Sequence, residues 1–404
     1  MKKTGSILIV GVDLAALACS ARKAGYEVYA ADYFGDLDLR NVCNGYLAII
    51  EQKPGKSCGK FEEKYNPELF LNMVKSIIKK KHVDFVLLSS GLDDHFDILY
   101  ELNDLIPILG NSPQVFERVR SKSLFFRELK RLNIPHPETD IAQDLIEAVD
   151  IASDFGYPIL LKPLKGFAGV GIRKAENVYQ LKRAFEFISS FSKEGVIIQK
   201  FIEGVDASIS FIASRGKAEV LTVNEQLIGL SEVYQREPFG YCGNIVPLDI
   251  SDEIMNKCKK ITIKIAERFK LEGSNGIDIV ISREGTPYVV EVNPRFQGTL
   301  ECVEKVLNVN LVELHVNACI HGKLPKTEKY IKCFCTRLIL YALRRVMVPD
   351  LAVMEGIRDI PLPKVIIEGG EPICSVIEEG ESRFSSLMKA KSKANFIYGM
   401  LIPV

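Results

Sequence analysis

The chain has 404 residues, 47% of them hydrophobic and 26% charged, the balance of a folded protein with more than one core. Lysine plus arginine (52) equals aspartate plus glutamate (52), which leaves no global positive field for nucleic acid or an anionic membrane, so small molecules are the expected partners. No uncharged run approaches the roughly 20 residues that span a bilayer, and ten scattered cysteines without a Cys-x-x-Cys pair suit free thiols in a reducing cytoplasm.

The start, Met1-Lys2-Lys3 before an apolar stretch, looks like a secretory signal until Asp13 interrupts it with no small-residue cleavage site beyond, so a first strand is expected. Ser6 to Val10 reads as that strand, Leu14 to Ala24 as a helix stopped by Gly25, and Glu27 to Ala31 as a second strand, a βαβ unit of a parallel sheet. A helix over Phe70 to Lys80, a strand over Asp84 to Ser89 and an edge strand at Ile108 to Asn111 continue the alternation until Ser112-Pro113. The first turn, Gly11 to Ala16, lacks the three glycines that let backbone touch a dinucleotide pyrophosphate, which argues against a nicotinamide site. Asp32, Asp36 and Asp38 read as a solvated loop.

Gln114 to Leu132 is expected as one charged helix, closed by Asn133-Ile134-Pro135-His136-Pro137. Shorter strands follow: Tyr157 to Pro163, Gly195 to Gln199, and a hairpin of Asp206 to Ala213 with Ala218 to Val223. A helix over Glu253 to Phe269 leads to a second hairpin, Asn275 to Ile281 and Pro287 to Val292. Beyond Pro325 the chain is strand-rich and closes on a helix near Ser386 to Ala394. Met388-Lys389 is similar to the Met-Lys pair of biotin carriers, but Leu387 and Ala390 flank it, which favours a helix-surface lysine. Cys333 and Cys335 have no further ligand residues near them in the chain, which favours packing over a metal site. His82, His95, His136, His315 and His321 show neither metal spacing nor a nucleophile partner.

Two segments carry chemistry. Lys162 ends an apolar strand and the loop Lys165 to Gly171, with Gly166, Gly169 and Gly171, follows it, so a fixed cation and backbone amides stand where phosphate oxygens can be held. A glycine-rich hairpin beside a snorkelling lysine explains that segment alone equally well. The second hairpin brings Asp278, Glu291 and Asn293 together as oxygen ligands, with Glu291 and Asn293 on one strand face. A divalent cation that keeps some waters and takes other oxygens from phosphates suits such a set.

With Val119-Arg120-Ser121-Lys122, Gln199-Lys200-Phe201-Ile202-Glu203-Gly204-Val205-Asp206 and Glu291-Val292-Asn293-Pro294-Arg295 in this order, the chain resembles the ATP-grasp superfamily, in particular archaeal carboligases related to biotin carboxylase. The resemblance implies an α/β (α+β ATP-grasp) fold. Its parts would be an N-terminal parallel α/β domain (1–112), an ATP-grasp domain (113–325) with a lid over roughly 123–198, and a C-terminal β-rich domain (326–404). It implies that Lys122 and Lys162 bind ATP phosphates under the loop from Lys165 to Gly171. Gln199 and Ile202 would line adenine, and Asp206 would take the ribose hydroxyls. Asp278, Glu291 and Asn293 would hold Mg²⁺ or Mn²⁺, and Arg295 would stabilise the transferring phosphoryl group. Many relatives have Glu where Gln199 stands.

Arg236, Tyr241, Asn244, Gln297 and Glu301 are candidate substrate contacts, Arg236 for a carboxylate and Glu301 as a base; a surface ion pair and a solvated helix start are the bland alternatives. The implied activity is ligation of a carboxylate, activated as an acyl phosphate, to an amine, releasing ADP and phosphate. A bicarbonate-dependent carboxylase acting through carboxyphosphate and a non-catalytic ATP-binding regulator stay open. A homodimer is expected by analogy alone.

Overall fold

The computed structural model of the chain describes residues 5–192, 194–326 and 333–404; the signal-like lead Met1-Lys2-Lys3 lies outside the described residues. The apolar run from Ser6 is strand β1 (Ser6–Gly11), followed by helix Ala15–Lys23 and β2 (Glu27–Asp32). β3 (Gly45–Ala48) and β4 (Phe85–Leu88) complete a parallel sheet ordered β3-β2-β1-β4. Ile7 to Val10 are fully buried, as a parallel sheet with helices on both faces requires. Ile7 and Ile9 pack with Leu17 and Ala21 of helix Ala15–Lys23, while Leu8 and Val10 pack with Phe70 and Val74 of helix Pro67–Ile78. The order in which strands are added reverses at β1, so the carboxyl ends of the parallel β1 and β4 flank the crevice where sheets of this kind take ligands.

The edge strand expected at Ile108 to Asn111 is a single bridge between Ile108 and Val86. Asn111 instead turns its amide into the interior, donating to Glu272 O, Asn275 Oδ1 and Pro294 O. The three aspartates after β2 do not form a solvated loop: Asp32 and Asp36 are buried. Asp32 accepts from Gly35 N–H, Asp36 from Gln52 Nε2, and Asp38 from the Asp359 and Ile360 amides. Asp38, with the Leu37 N–H to Ile360 O bond, ties helix Leu37–Val42 to the C-terminal segment, a partnership that nothing near it in the chain announces.

The helix expected over Gln114 to Leu132 is two helices, Pro113–Arg120 and Lys122–Arg131, parted at Ser121 (φ −65°, ψ 99°). Four antiparallel strands follow, β5 (Thr139–Ala142), β6 (Ile159–Pro163), β7 (Arg173–Ala175) and β8 (Val196–Lys200), ordered β5-β8-β6-β7 and backed by helices Leu145–Phe155 and Val178–Ser189. Then come β9 (Gly204–Ser214), β10 (Lys217–Ile228), β11 (Tyr241–Val246), β12 (Gly273–Ser282), β13 (Pro287–Asn293) and β14 (Phe334–Tyr341). Short strands β15 (Val346–Met347), β16 (Ile357–Arg358) and β17 (Ile366–Ile367) precede the longer β18 (Pro372–Gly380), and β19 (Ile402–Pro403) closes the chain.

The large sheet runs β13-β12-β9-β10-β11-β14-β18-β16, so C-terminal strands continue the central sheet along β11. Helix Asp252–Phe269, capped by Ser251, covers the β9, β10, β12 and β13 face with Cys258, Ile261, Ile265 and Phe269. Each large apolar side chain so buried contributes roughly 1.5–3 kcal/mol. The closing helix, Arg383–Met400, is longer than expected and starts on reciprocal bonds between Ser382 and Ser385. Among the described residues no helix is long and apolar enough to cross a membrane.

Candidate functional site

The β12–β13 hairpin sets Asp278 opposite Glu291, with a register shift directly after Asp278. Asn293 Nδ2 donates to Asp278 Oδ2 at 3.0 Å, and Gln226 Nε2, reaching from β10, donates to Oδ1 at 2.9 Å. Burial, and next the charge of Glu291, push the Asp278 carboxyl up to about 6, against the Asn293 bond and Arg295. Burial also opposes ionisation of Glu291, but Arg120 and Lys122 outweigh it and hold its carboxyl well below the usual range.

The break at Ser121 makes that possible. Residues two apart on a continuous helix point to different faces, so Arg120 and Lys122 could not meet one carboxylate from a single helix. With the chain turned at Ser121, Arg120 Nη1 donates to Glu291 Oε1 and Lys122 Nζ to Oε2 at 2.8 Å. Arg120 is also bidentate on Asp94, at 2.7 and 2.8 Å, and Arg295 Nε donates to Asp93 at 2.7 Å and Nη2 to Asn293 Oδ1 at 3.3 Å. Asp93 and Asp94 follow β4, so the crevice of the N-terminal sheet opens onto the hairpin. Arg120, Asp93, Asp94 and Gln226 were not among the sequence-derived candidates; a helix break without Gly or Pro gave no signal for the first.

Lys162, at the end of β6, joins this group. Burial, then the charge of Lys122, lower its ammonium to about 8, while Glu291, Asp206 and Asp278 pull the other way. Asp206 projects from the exposed start of β9, with Lys162 as the cation acting on it. Gln199 is buried and donates to Thr139 Oγ1 at 2.8 Å, and Ile202 lies in the connection from β8 to β9.

The glycine loop after β6 lies down on the segment before β11. Ala168 O accepts from Tyr241 N–H at 3.0 Å, and Gly171 N–H donates to Glu237, which Arg173 also holds. Gly169 adopts φ +77°, and a Cβ there would fall 1.9 Å from Phe239 O, so only glycine permits this approach. Gly166 has room, with the nearest atom 3.5 Å from such a Cβ. Phe167 stacks on Phe61 (5.3 Å, 10°), joining the loop to the N-terminal part of the chain. Lys165 is not drawn inward; it pairs with Glu194 at the surface.

The remaining candidates scatter. Glu301 is not a free base, because Arg358 grips both its oxygens at 2.8 and 2.6 Å. Arg236 donates to Leu343 O at 2.8 Å rather than meeting the acidic hairpin. Gln297 folds back on Asn293 O and Arg295 O. Tyr241 and Asn244 belong to a second cluster that sequence reasoning missed. Asn244 Nδ2 donates to Tyr241 Oη at 2.7 Å and to Gly298 O at 3.4 Å. Arg337, opposite Asn244 across β11 and β14, donates to the same Gly298 carbonyl, to Asp13 at 2.6 Å, to Asp359 at 2.8 Å and to Ser375. Cys335 is buried on β14, and Cys333 before it points its thiol to Glu379.

Residues 119–299 match the model of the ATP-grasp domain, so the chain carries an ATP-grasp domain. An uncharacterised Methanocaldococcus jannaschii protein, MJ0776, is 28% identical over 376 residues, covering 92% of this chain and 87% of its own. The carbamoyl phosphate synthase large chain of Helicobacter pylori is 24% identical over 312 residues, covering 75% of this chain and 28% of that one, so the chain spans less than a third of that relative. The fold is shared with a biotin carboxylase from Campylobacter jejuni solved as a β,γ-ATP complex, at a TM-score of 0.75 and 17% identity, covering 98% of this chain and 91% of the other.

Proposed function

We propose that this chain is a cytoplasmic, Mg·ATP-dependent carboxylate–amine ligase that makes an acyl phosphate and passes the acyl group to an amine, releasing ADP and phosphate. The observation that carries the reading is the convergence of Lys122, Lys162, Asp278, Glu291, Asn293 and Arg295 on the open end of one hairpin. A carboxylate is a poor electrophile until one oxygen is phosphorylated, and phosphoryl transfer needs chiefly positioning and charge neutralisation.

The donor set fits a divalent cation. Asp278 and Glu291 stand face to face across the hairpin, and Asp278 is pushed up in part by that neighbour; a cation between them relieves the repulsion. Asp278, Glu291 and Asn293 would hold it, and it would neutralise charge on the phosphates. Lys122 and Lys162 bind the phosphate oxygens, which requires Lys122 to share or leave Glu291. The substrate carboxylate oxygen attacks the γ-phosphorus and ADP leaves; the amine nitrogen then attacks the acyl carbon and phosphate leaves. Arg295, set by Asp93, stabilises charge on the acyl phosphate. The loop around Gly169, seated on Phe239, keeps water from the acyl phosphate. Gln199 and Ile202 line adenine and Asp206 takes the ribose.

ADP release is the test. Release that requires both a carboxylic acid and an amine supports the ligase. Release driven by bicarbonate with no other acid supports a carboxylase, whose acceptor would take the carboxyl group of carboxyphosphate as phosphate leaves, and nucleotide binding without turnover supports a regulator.

A further inference from the structure

One face of the large sheet carries an unbroken row of polar side chains. Ser208 of β9 stands opposite Asp278 of β12 and Asn224 of β10, Gln226 opposite Asn244 of β11, and Asn244 opposite Arg337 of β14. Partners in register share a face, so the row leads from the hairpin, through Gln226 bonded to Asp278, to the Arg337 cluster. Gly298, whose carbonyl both Asn244 and Arg337 bond, lies three residues beyond Arg295, within about 10 Å of it along the chain.

Among the described residues, four buried acceptor oxygens along and beside this row have no hydrogen-bond donor: Asn224 Oδ1, Asn244 Oδ1, Asp13 Oδ1 and Asp32 Oδ1. Asn224, Asn244 and Asp32 are at most 2% exposed. The charges are unbalanced in the same direction. Arg337 is shared by Asp13 and Asp359, and Arg358 is committed to Glu301, while Asp38 adds its negative charge at Asp359, and Asp13 and Asp359 add theirs at the buried Asp32. Burial, then the charge of Asp13, push the Asp359 carboxyl up to about 7 against the pull of Arg337 and the Ser375 bond, so one guanidinium does not offset both carboxylates. A second anion would find Arg337 already compensated; a cation with hydrogens to donate would find acceptors waiting.

We infer, building on the ligase reading above, that this polar row is the subsite of the acceptor and that it takes a cationic amine, held through Asp13 and Asn244 beside the Gly298 carbonyl. The acceptor is thus a molecule with at least two amino groups: one held here as ammonium, the other free to attack at the hairpin end.

Calorimetric titration of the full chain, with and without Mg²⁺ and a non-hydrolysable ATP analogue, tests this with short aliphatic diamines from ethylenediamine to cadaverine, the matched neutral diols and short monocarboxylates as probes. The diamines bind and the diols do not. Asp13→Asn, which keeps an acceptor for Arg337, weakens diamine binding about tenfold or more, as loss of a charge-assisted bond requires. Asp13→Glu restores it to within a few-fold, and nucleotide affinity stays constant across the three proteins, reporting that each is folded. Diamines binding no better than diols, an unchanged diamine affinity in Asp13→Asn, or displacement of the diamine by a monocarboxylate each overturn the inference. A wild-type chain that binds no nucleotide sinks the ligase reading instead, and the nucleotide-free diamine titration still decides this one.

Discussion

Around Glu291, Arg120 and Lys122 take both carboxylate oxygens, and Arg295 joins Asp93 to Asn293. Around Arg337, one guanidinium serves Asp13, Asp359 and Ser375, and the neighbouring Asn244 Oδ1 and Asp13 Oδ1 go without a donor among the described residues. The first cluster is saturated by its own cations and opens only when a ligand exchanges with them; the second carries surplus acceptors and gains bonds on binding. Ion exchange at one end and addition at the other are what a two-substrate site needs if its substrates carry opposite charge.

Substitutions at each end break or sharpen this contrast. The largest effect is expected from Glu291→Ala, which removes a carboxylate proposed to hold the metal and leaves Arg120 and Lys122 facing each other: ADP release falls roughly a thousandfold. Near-normal release would defeat the assignment of Glu291 to the metal. Arg337→Met strips the counter-charge from Asp13 and Asp359 and should lower unfolding free energy in urea by about 3–5 kcal/mol, the cost of breaking a buried pair from one side. A loss comparable to an exposed pair would mean the second cluster is solvated.

His315 lies beneath the hairpin, its ring 4.7 Å from that of Phe296. Its Nδ1 accepts from Ser274 N–H, which leaves Nε2 to donate to Leu109 O. Burial lowers it to about 4 from 6.5. Between those values the unfolded chain binds more protons, so this group's contribution is complete above pH 6.5 and is lost as pH falls to 4. The difference in stability between wild type and His315→Gln should therefore shrink by up to about 3 kcal/mol across that window. A pH-independent difference would show that the imidazole is charged when folded. Smallest is Phe167→Ala, which removes the stack on Phe61 and should weaken ATP affinity through loop closure by about 1 kcal/mol, with the Arg337 end unaffected; nucleotide titration reads it.

The hairpin side of the saturated cluster was legible because Asp278 to Arg295 is one continuous stretch whose alternation fixes which side chains share a face, and Lys162 and its glycine loop are likewise one stretch; Arg120 and Asp93, which come from elsewhere, were not. The surplus cluster was not, because Asp13, Asn244, Arg337 and Asp359 come from four separated stretches and meet only through the N-terminal sheet, β11, β14 and the turn after β16. The same cause misled the reading of Glu301 and of Asp32, Asp36 and Asp38, whose partners Arg358, Gln52, Asp359 and Ile360 are mostly remote. The break at Ser121 escaped because helix propensity runs through it without Gly or Pro; the bonds of Arg120 and Lys122 to Glu291, not local preference, accompany it.

That β14 zips onto β11 from Gly243 to Val246 also sets the limits of dissection. Trimming the chain to the stretch that matches the ATP-grasp model would strip β11 of its neighbour and leave a row of unsatisfied amides and carbonyls over Cys242 and Ile245, both now fully buried. Such a fragment would recruit strands from other copies, so its insolubility would say nothing about whether the excised region is the catalytic one.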